Sequence, residues 1–328
     1  MVVMAADYGG PEVLQVTDQP AGEPGPGEAL ISVRAAAVNP IDYKAYSGAF
    51  GTDRSRLPIR LGSEAAGVVI QAGPDAIGPA GPVTAGQEVI AFRAPGAYAA
   101  ELVVPAQSLV PKPPVLEWAQ AAGLMLTGAT AWHALAATDV GPGDTVLIHG
   151  ASGGVGLMAV QLAAARGATV VATASPARHE FLRSLGALPV AYGAGPDGTG
   201  LDGTGLDGTG LKERVEAVAP GGLNAALDLI GTDEAMDVSL ALVAARSRIA
   251  TIAGFARGLA EGVKVLGGAP GADPGTELRD AARLELARLA QDGTLRVFVD
   301  QTFPLADTAA AHREIMGGHV RGKLVLIP

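Results

Sequence analysis

The stretch Thr145-Val-Leu-Ile-His149-Gly-Ala-Ser-Gly-Gly-Val-Gly156 is a short apolar run that breaks into a glycine cluster. It continues as Leu157-Met-Ala-Val-Gln-Leu-Ala-Ala-Ala165. The first part reads as a buried parallel strand and the last as a helix, so the glycines sit at a strand-to-helix turn. The motif is Ala151-x-Gly153-x-x-Gly156, with alanine where a first glycine is usual. Gly153 lets the backbone approach a phosphate, Gly156 lets the helix pack closely on the strand, and the helix N-terminus offers free N–H groups. A glycine triplet alone also fits a bare structural turn; the flanking strand and helix favour a dinucleotide pyrophosphate over Ser152, Gly153, Gly154 and Val155.

A chain of 328 residues suits two domains of ordinary size. With 48% hydrophobic and 17% charged residues it can bury a large interior, which argues against extended disorder. A net charge of −10 repels nucleic acid and anionic membranes at long range, so a small molecule is the expected partner. The chain has no cysteine, which removes disulfides, thiolate zinc sites and thiol nucleophiles together. Met1-Val-Val-Met-Ala-Ala-Asp7 lacks a basic start, and no apolar run approaches the ~20 residues of a membrane span, so the reading is cytoplasmic.

Up to about residue 115, Gly and Pro recur at short intervals between β-rich runs such as Ala29–Arg34, Gly67–Ile70 and Glu101–Val104, which suits an irregular β domain. Pro111-Lys-Pro-Pro114 marks a boundary. Beyond it helical segments alternate with apolar runs at Val146–His149, Thr169–Thr173, Pro189–Tyr192, Ala225–Ile230 and Arg248–Ala253, the pattern of a doubly wound parallel sheet. A helix near Glu277–Ala290, a β-like run Leu295–Phe303 and a last strand from Lys323 complete the chain. Asp-Gly-Thr-Gly-Leu occurs three times in tandem over 197–211; its periodicity does not suit a calcium-binding solenoid, and a flexible inserted loop is expected.

Further motifs are Tyr8-Gly-Gly-Pro11, Val38-Asn-Pro-Ile-Asp42, Leu61-Gly-Ser-Glu-Ala-Ala-Gly67, Gly96-Ala-Tyr-Ala-Ala-Glu101, Thr130-Ala-Trp132 and Arg321-Gly-Lys-Leu-Val-Leu326. With the glycine turn, these make the chain resemble the zinc-independent quinone oxidoreductases of the medium-chain dehydrogenase/reductase superfamily, the group that includes ζ-crystallin. The resemblance covers nearly the whole chain. It implies an α/β architecture: a GroES-like catalytic domain (1–120 and 268–328), a Rossmann domain (121–267), an active site in the cleft between them, and a homodimer. Zinc-dependent relatives carry a cysteine and a histidine where this chain has Asn39 and Ser63, neither a plausible zinc ligand there, so no metal is expected. The five histidines, His133, His149, His179, His312 and His319, show no metal-ligand spacing.

Cofactor selectivity is usually read about twenty residues past the glycine turn, where a carboxylate would bind the NAD ribose. Here Ala172-Thr-Ala-Ser175 is followed by Pro-Ala-Arg178, with no carboxylate; a serine and an arginine suit a 2′-phosphate, so NADPH is expected. A solvated arginine in a first helical turn is the alternative. By resemblance, Thr130 faces the nicotinamide end and Tyr192 packs near the adenosine ribose, though helix packing and a strand-end aromatic fit them as well. The turns carrying Ile230, Gly254 and Phe255, and Lys323 from the tail, are further cofactor candidates. The catalytic candidates are Asn39, Asp42, Lys44 and Tyr46: hydride addition to a quinone or enone leaves negative charge on oxygen, which Lys44 and Tyr46 are expected to stabilise as donors. Asp42 would orient Lys44, and Asn39 before Pro40 also fits a simple turn. Many relatives carry arginine at the position of Tyr46. The implied activity is NADPH-dependent reduction of quinones or α,β-unsaturated carbonyl compounds. A biosynthetic, polyketide-type enoyl reductase and a non-catalytic crystallin-like NADPH-binding protein remain alternatives.

Overall fold

The structure, a computed structural model, describes residues 1–193, 210–318 and 320–328. The tandem repeat lies outside the described residues except for its last two positions: Gly210 caps a helix, Leu211–Val218, and Leu211 is buried in it. The chain divides into two compact units, Met1–Thr127 with Arg283–Pro328, and Gly128–Ala282. It passes from one to the other inside two helices, Met125–Ala137 and Thr276–Gln291, rather than at the proline cluster. A boundary inside a continuous helix breaks no apolar period, and the single Gly128 at the first crossing does not interrupt its helix, so the sequence pattern does not mark these crossings.

In the first unit a mixed sheet runs in the order Leu109–Pro111, Glu88–Phe92, Glu64–Ala72, Glu28–Val38, Lys323–Ile327 and Val299–Pro304. Glu101–Pro105 also pairs with Glu28–Val38. Only the last two strands of the order are parallel to each other. Burial alternates from Glu28 to Val33, then becomes continuous over Ala35–Val38. The alternation leaves one face to solvent; the continuous part lies where the terminal strand joins, with Leu324 opposite Val38. The tail thus belongs to the N-terminal unit. The register also brings Asn39, just past one strand, beside Glu64 and Lys323 at the starts of two others. The core beneath includes Ile31, Leu61, Tyr98, Leu109 and Leu326.

The second unit holds a six-stranded, wholly parallel sheet in the order Leu188–Ala191, Thr169–Ala174, Thr145–His149, Ala225–Asp228, Ile249–Thr251, Lys264–Val265. In chain order this is third, second, first, fourth, fifth, sixth, so the winding reverses between Thr145–His149 and Ala225–Asp228. In such open sheets ligands bind outside the carboxyl ends of the strands at that reversal. Pro189 sits on an edge strand, where a missing N–H breaks no central ladder. The two-residue strand Lys264–Val265 extends the sheet beyond the five strands read from the sequence. Leu147, Val171, Ala226 and Ile249 from the sheet pack with Leu211, Val215 and Met236 from the helices.

Candidate active site

At the carboxyl edge of the parallel sheet, Gly153 caps the helix Gly154–Ala165. A Cβ on Gly156 would lie 2.3 Å from the Gly150 carbonyl oxygen and 2.6 Å from Ala151 Cα, so any side chain there would push the helix off the turn. At Gly153 the nearest atom to such a Cβ is the same oxygen at 3.5 Å, ordinary contact. Packing within the protein therefore demands glycine at 156 but would admit a Cβ at 153, which stands beside the first-turn N–H groups where a phosphate would bind. Ser152 and Val155, flanking it, are half-buried.

The other sequence-nominated cofactor residues of this unit fall largely on the same edge. Ser175 and Arg178 follow Thr169–Ala174, Tyr192 follows Leu188–Ala191, Ile230 follows Ala225–Asp228, and Gly254 and Phe255 follow Ile249–Thr251. Ser175 and Arg178 are half-buried; Tyr192 and Ile230 are exposed. Thr130 is buried within the helix Met125–Ala137.

Behind this edge lies a buried polar row, Thr173, His149, Asp228 and Thr251, on four adjacent strands, where His149 fits the hydrogen-bonding role its place at a strand end suggests. Asp228 Oδ1 accepts the N–H groups of Ile230 (3.1 Å) and Gly231 (2.7 Å), and Oδ2 accepts the Thr251 hydroxyl (2.8 Å). Thr251 Oγ1 in turn accepts the Gly254 N–H at 2.9 Å. Asp228 and Thr251 thereby fix the two turns that carry Ile230, Gly254 and Phe255. His149 Nδ1 lies 3.3 Å from the Thr173 hydroxyl, and its Nε2 has no partner. Burial pushes the His149 imidazole down to about 4, against a smaller upward pull from Asp228.

The first unit holds a second polar cluster. Lys323 Nζ donates to the Val38 carbonyl (3.2 Å), to Asn39 Oδ1 and to Glu64 Oε1 (3.2 Å). Glu64 Oε1 also accepts from Asn39 Nδ2 (3.1 Å), and its Oε2 accepts the Leu126 N–H (2.7 Å). The sequence suggests Lys323 for the cofactor, but all three ammonium donors are used inside this unit, on a side chain buried with its carboxylate. Asn39 likewise spends its amide on Glu64 and Lys323.

Asp42 closes the turn at Asn39 by accepting its backbone N–H (2.9 Å), and it also accepts from Ser63 Oγ (2.6 Å) and Tyr98 OH (2.9 Å). Its expected task of orienting Lys44 is thus replaced by these three contacts. Burial lifts the Asp42 carboxyl to about 6; the donors and the Lys323 charge oppose this only in part. Tyr46, expected to donate to substrate, is buried, and its hydroxyl lies 2.7 Å from His312 Nδ1. His312 Nε2 is 3.3 Å from Tyr98 OH. Because Tyr98 donates to Asp42, His312 must donate through Nε2 and accept from Tyr46 through Nδ1. Burial keeps this imidazole neutral, pushing it down to about 4, and holds both phenols above their ordinary range. Lys44 is half-buried on the helix Pro40–Tyr46.

Residues 25–114 match the alcohol dehydrogenase GroES-like domain, and residues 205–326 match the zinc-binding dehydrogenase family. The quinone oxidoreductase of Pseudomonas aeruginosa is 32% identical to this chain over 99% of each. The chain belongs to the quinone oxidoreductase-like group of the medium-chain dehydrogenase/reductase family. Membership makes it an oxidoreductase, built from a GroES-like and a Rossmann domain. A 2-haloacrylate reductase from a Burkholderia species is also 32% identical, over 100% of this chain and 99% of its own. The Escherichia coli quinone oxidoreductase, solved with NADPH, is 27% identical with a TM-score of 0.82, covering 100% of this chain and 99% of that one. Among the described residues, no group of three or more His, Asp or Glu is placed to hold a metal ion, and no helix is long and apolar enough to cross a membrane.

Proposed function

We propose that this chain is an NADPH-dependent, zinc-free reductase of quinones and other α,β-unsaturated carbonyl compounds. The observation that carries the reading is the carboxyl edge of the parallel sheet: the helix N-terminus capped by Gly153 and, one strand over, Ser175 and Arg178 with no carboxylate between Thr173 and Arg178. A carboxylate there would bind the NAD ribose hydroxyls and repel a 2′-phosphate; serine and arginine do the reverse. Bound at that edge, NADPH supplies a hydride to the substrate carbon and leaves negative charge on its oxygen. In this reading the first-turn N–H groups of Gly154–Ala165 hold the pyrophosphate, Asp228 and Thr251 keep their turns in place against it, and Thr130 and Tyr192 line the cofactor. Lys44 donates to the developing oxyanion, a role in which no metal is required. Zinc independence is supported by Asn39 and Ser63, whose side chains are engaged by Lys323, Glu64 and Asp42. A cytoplasmic homodimer belongs to the same reading.

The test is NADPH oxidation against a panel of quinones, enones and an enoyl thioester, repeated with NADH. Turnover with NADPH on quinones or simple enones is expected, with NADH much weaker. Turnover on the thioester alone would assign a dedicated enoyl reductase instead, and cofactor binding without oxidation by any acceptor would refute the enzyme.

A further inference from the structure

Asp42 receives three hydrogen bonds, and only one of the donors is open to solvent. Tyr98 and Asn39 are buried along with the carboxyl itself, whereas Ser63 is half-buried and makes the shortest contact, 2.6 Å to Oδ1. Oδ2 already accepts both the Asn39 N–H and the Tyr98 hydroxyl, so a proton taken up by Asp42 goes to Oδ1. There the bond to Ser63 reverses: Oδ1–H donates to Oγ, and the serine O–H is released to donate elsewhere.

We propose that Asp42 and Ser63 form a proton-donating couple, in which Ser63 delivers the proton that completes reduction and Asp42 replaces it. The proposal rests on the reductase reading above and names the donor that reading lacks. The two electrons reach the substrate with the hydride, leaving an enolate or hydroquinone anion. The Ser63 O–H bond breaks as the new bond to the substrate anion forms; the Asp42 Oδ1–H bond breaks as its proton moves to Oγ; the carboxylate regains one proton from solvent through the same hydroxyl after product leaves. The net change on the protein is nil, and the substrate gains one hydride and one proton. Burial supports the cycle, since it brings the carboxyl up to about 6, where both of its forms are populated near neutrality. The groups facing Asp42 are Ser63, Tyr98, the Asn39 N–H and the Lys323 charge, with Tyr46 and neutral His312 behind Tyr98. Of these only Lys323 acts on Asp42 through its charge, and its ammonium is committed to Glu64.

The experiment compares parent, Ser63→Ala and Ser63→Thr in two ways. In cofactor-free protein, carboxyl carbon NMR should show Asp42 titrating between about pH 5 and 7, higher in Ser63→Ala because a donor to its ionised form is lost, and restored in Ser63→Thr. In turnover on an enone, Ser63→Ala should lower kcat about 100-fold or more, show a larger solvent deuterium effect because proton transfer from water becomes limiting, and keep KM and NADPH affinity within about twofold; Ser63→Thr should recover most of the rate. An Asp42 carboxyl that ignores Ser63, or a Ser63→Ala enzyme at parental kcat, overturns the couple. A parent that shows the coupled titration but oxidises NADPH with no acceptor overturns the reductase reading instead, and with it the couple's catalytic role.

Discussion

Acidification should destabilise the second unit through His149. The imidazole is wholly buried, its Nε2 has no partner, and its ordinary value of 6.5 is pushed down to about 4. Between those values the unfolded chain binds a proton that the folded one refuses. The stabilisation is complete above pH 6.5, is lost as pH falls, and reaches its full loss below about 4. At 1.36 kcal/mol for each pH unit the whole effect is about 3 kcal/mol, and about 2 kcal/mol has gone by pH 5. That is a sizeable part of the 5–15 kcal/mol typical of a domain. Urea unfolding of the parent and of His149→Leu, at pH 7 and pH 5, isolates it. Trp118→Phe in both backgrounds leaves Trp132 as the single tryptophan, a reporter in the second unit. Leucine has similar volume and cannot titrate, and contributions from Asp42 and His312 are common to both proteins and cancel. The parent should lose about 2 kcal/mol more than the variant on acidification. Equal losses would show that His149 is protonated in the folded state and that the buried row is wetter than its geometry indicates.

Three further outcomes follow from the two clusters and the sheet edge. Arg178→Ala should weaken NADPH by about 1–3 kcal/mol, the range of a charge-assisted contact, and leave NADH nearly unchanged; fluorescence titration of both cofactors reads the difference. Lys323→Met strands the wholly buried Glu64 carboxylate and should cost about 3–5 kcal/mol in denaturant unfolding, whereas a loss under 1 kcal/mol would mean that Glu64 reaches water. Prolonged chelation should leave activity and Tm unaltered, and elemental analysis should find no stoichiometric zinc; one zinc per chain would contradict the roles given to Asn39 and Ser63.

The strands of the parallel sheet were legible because burial on both faces writes them as continuous apolar runs, and the residues just past their ends follow from the winding rule. Lys264–Val265 was not, since two residues carry no period. In the first unit the motifs mark Asn39, Asp42, Tyr46 and Lys323 but not the partners these side chains take. On the helix Pro40–Tyr46, Asp42 and Tyr46 stand four residues apart and share its buried face, while Lys44, two residues from each, does not. That spacing separates Lys44 from Tyr46 as a donor to substrate. His312 could not have been found this way: it meets Tyr46 across 266 positions of sequence, a contact only the fold creates. Lys323 was misassigned for a similar reason, because its partners Asn39 and Glu64 are brought to it by strand register rather than by any local pattern.

The measurement that bears most directly on the account is the fate of deuterium carried at the nicotinamide C4 of NADPH during reduction of an enone in ordinary water. Direct hydride transfer predicts one deuterium on the β-carbon of each product molecule, delivered from a single face of the nicotinamide, with the remaining hydrogen taken from solvent. Product free of deuterium, or label lost to water, would contradict the assignment of this chain as a hydride-transferring reductase.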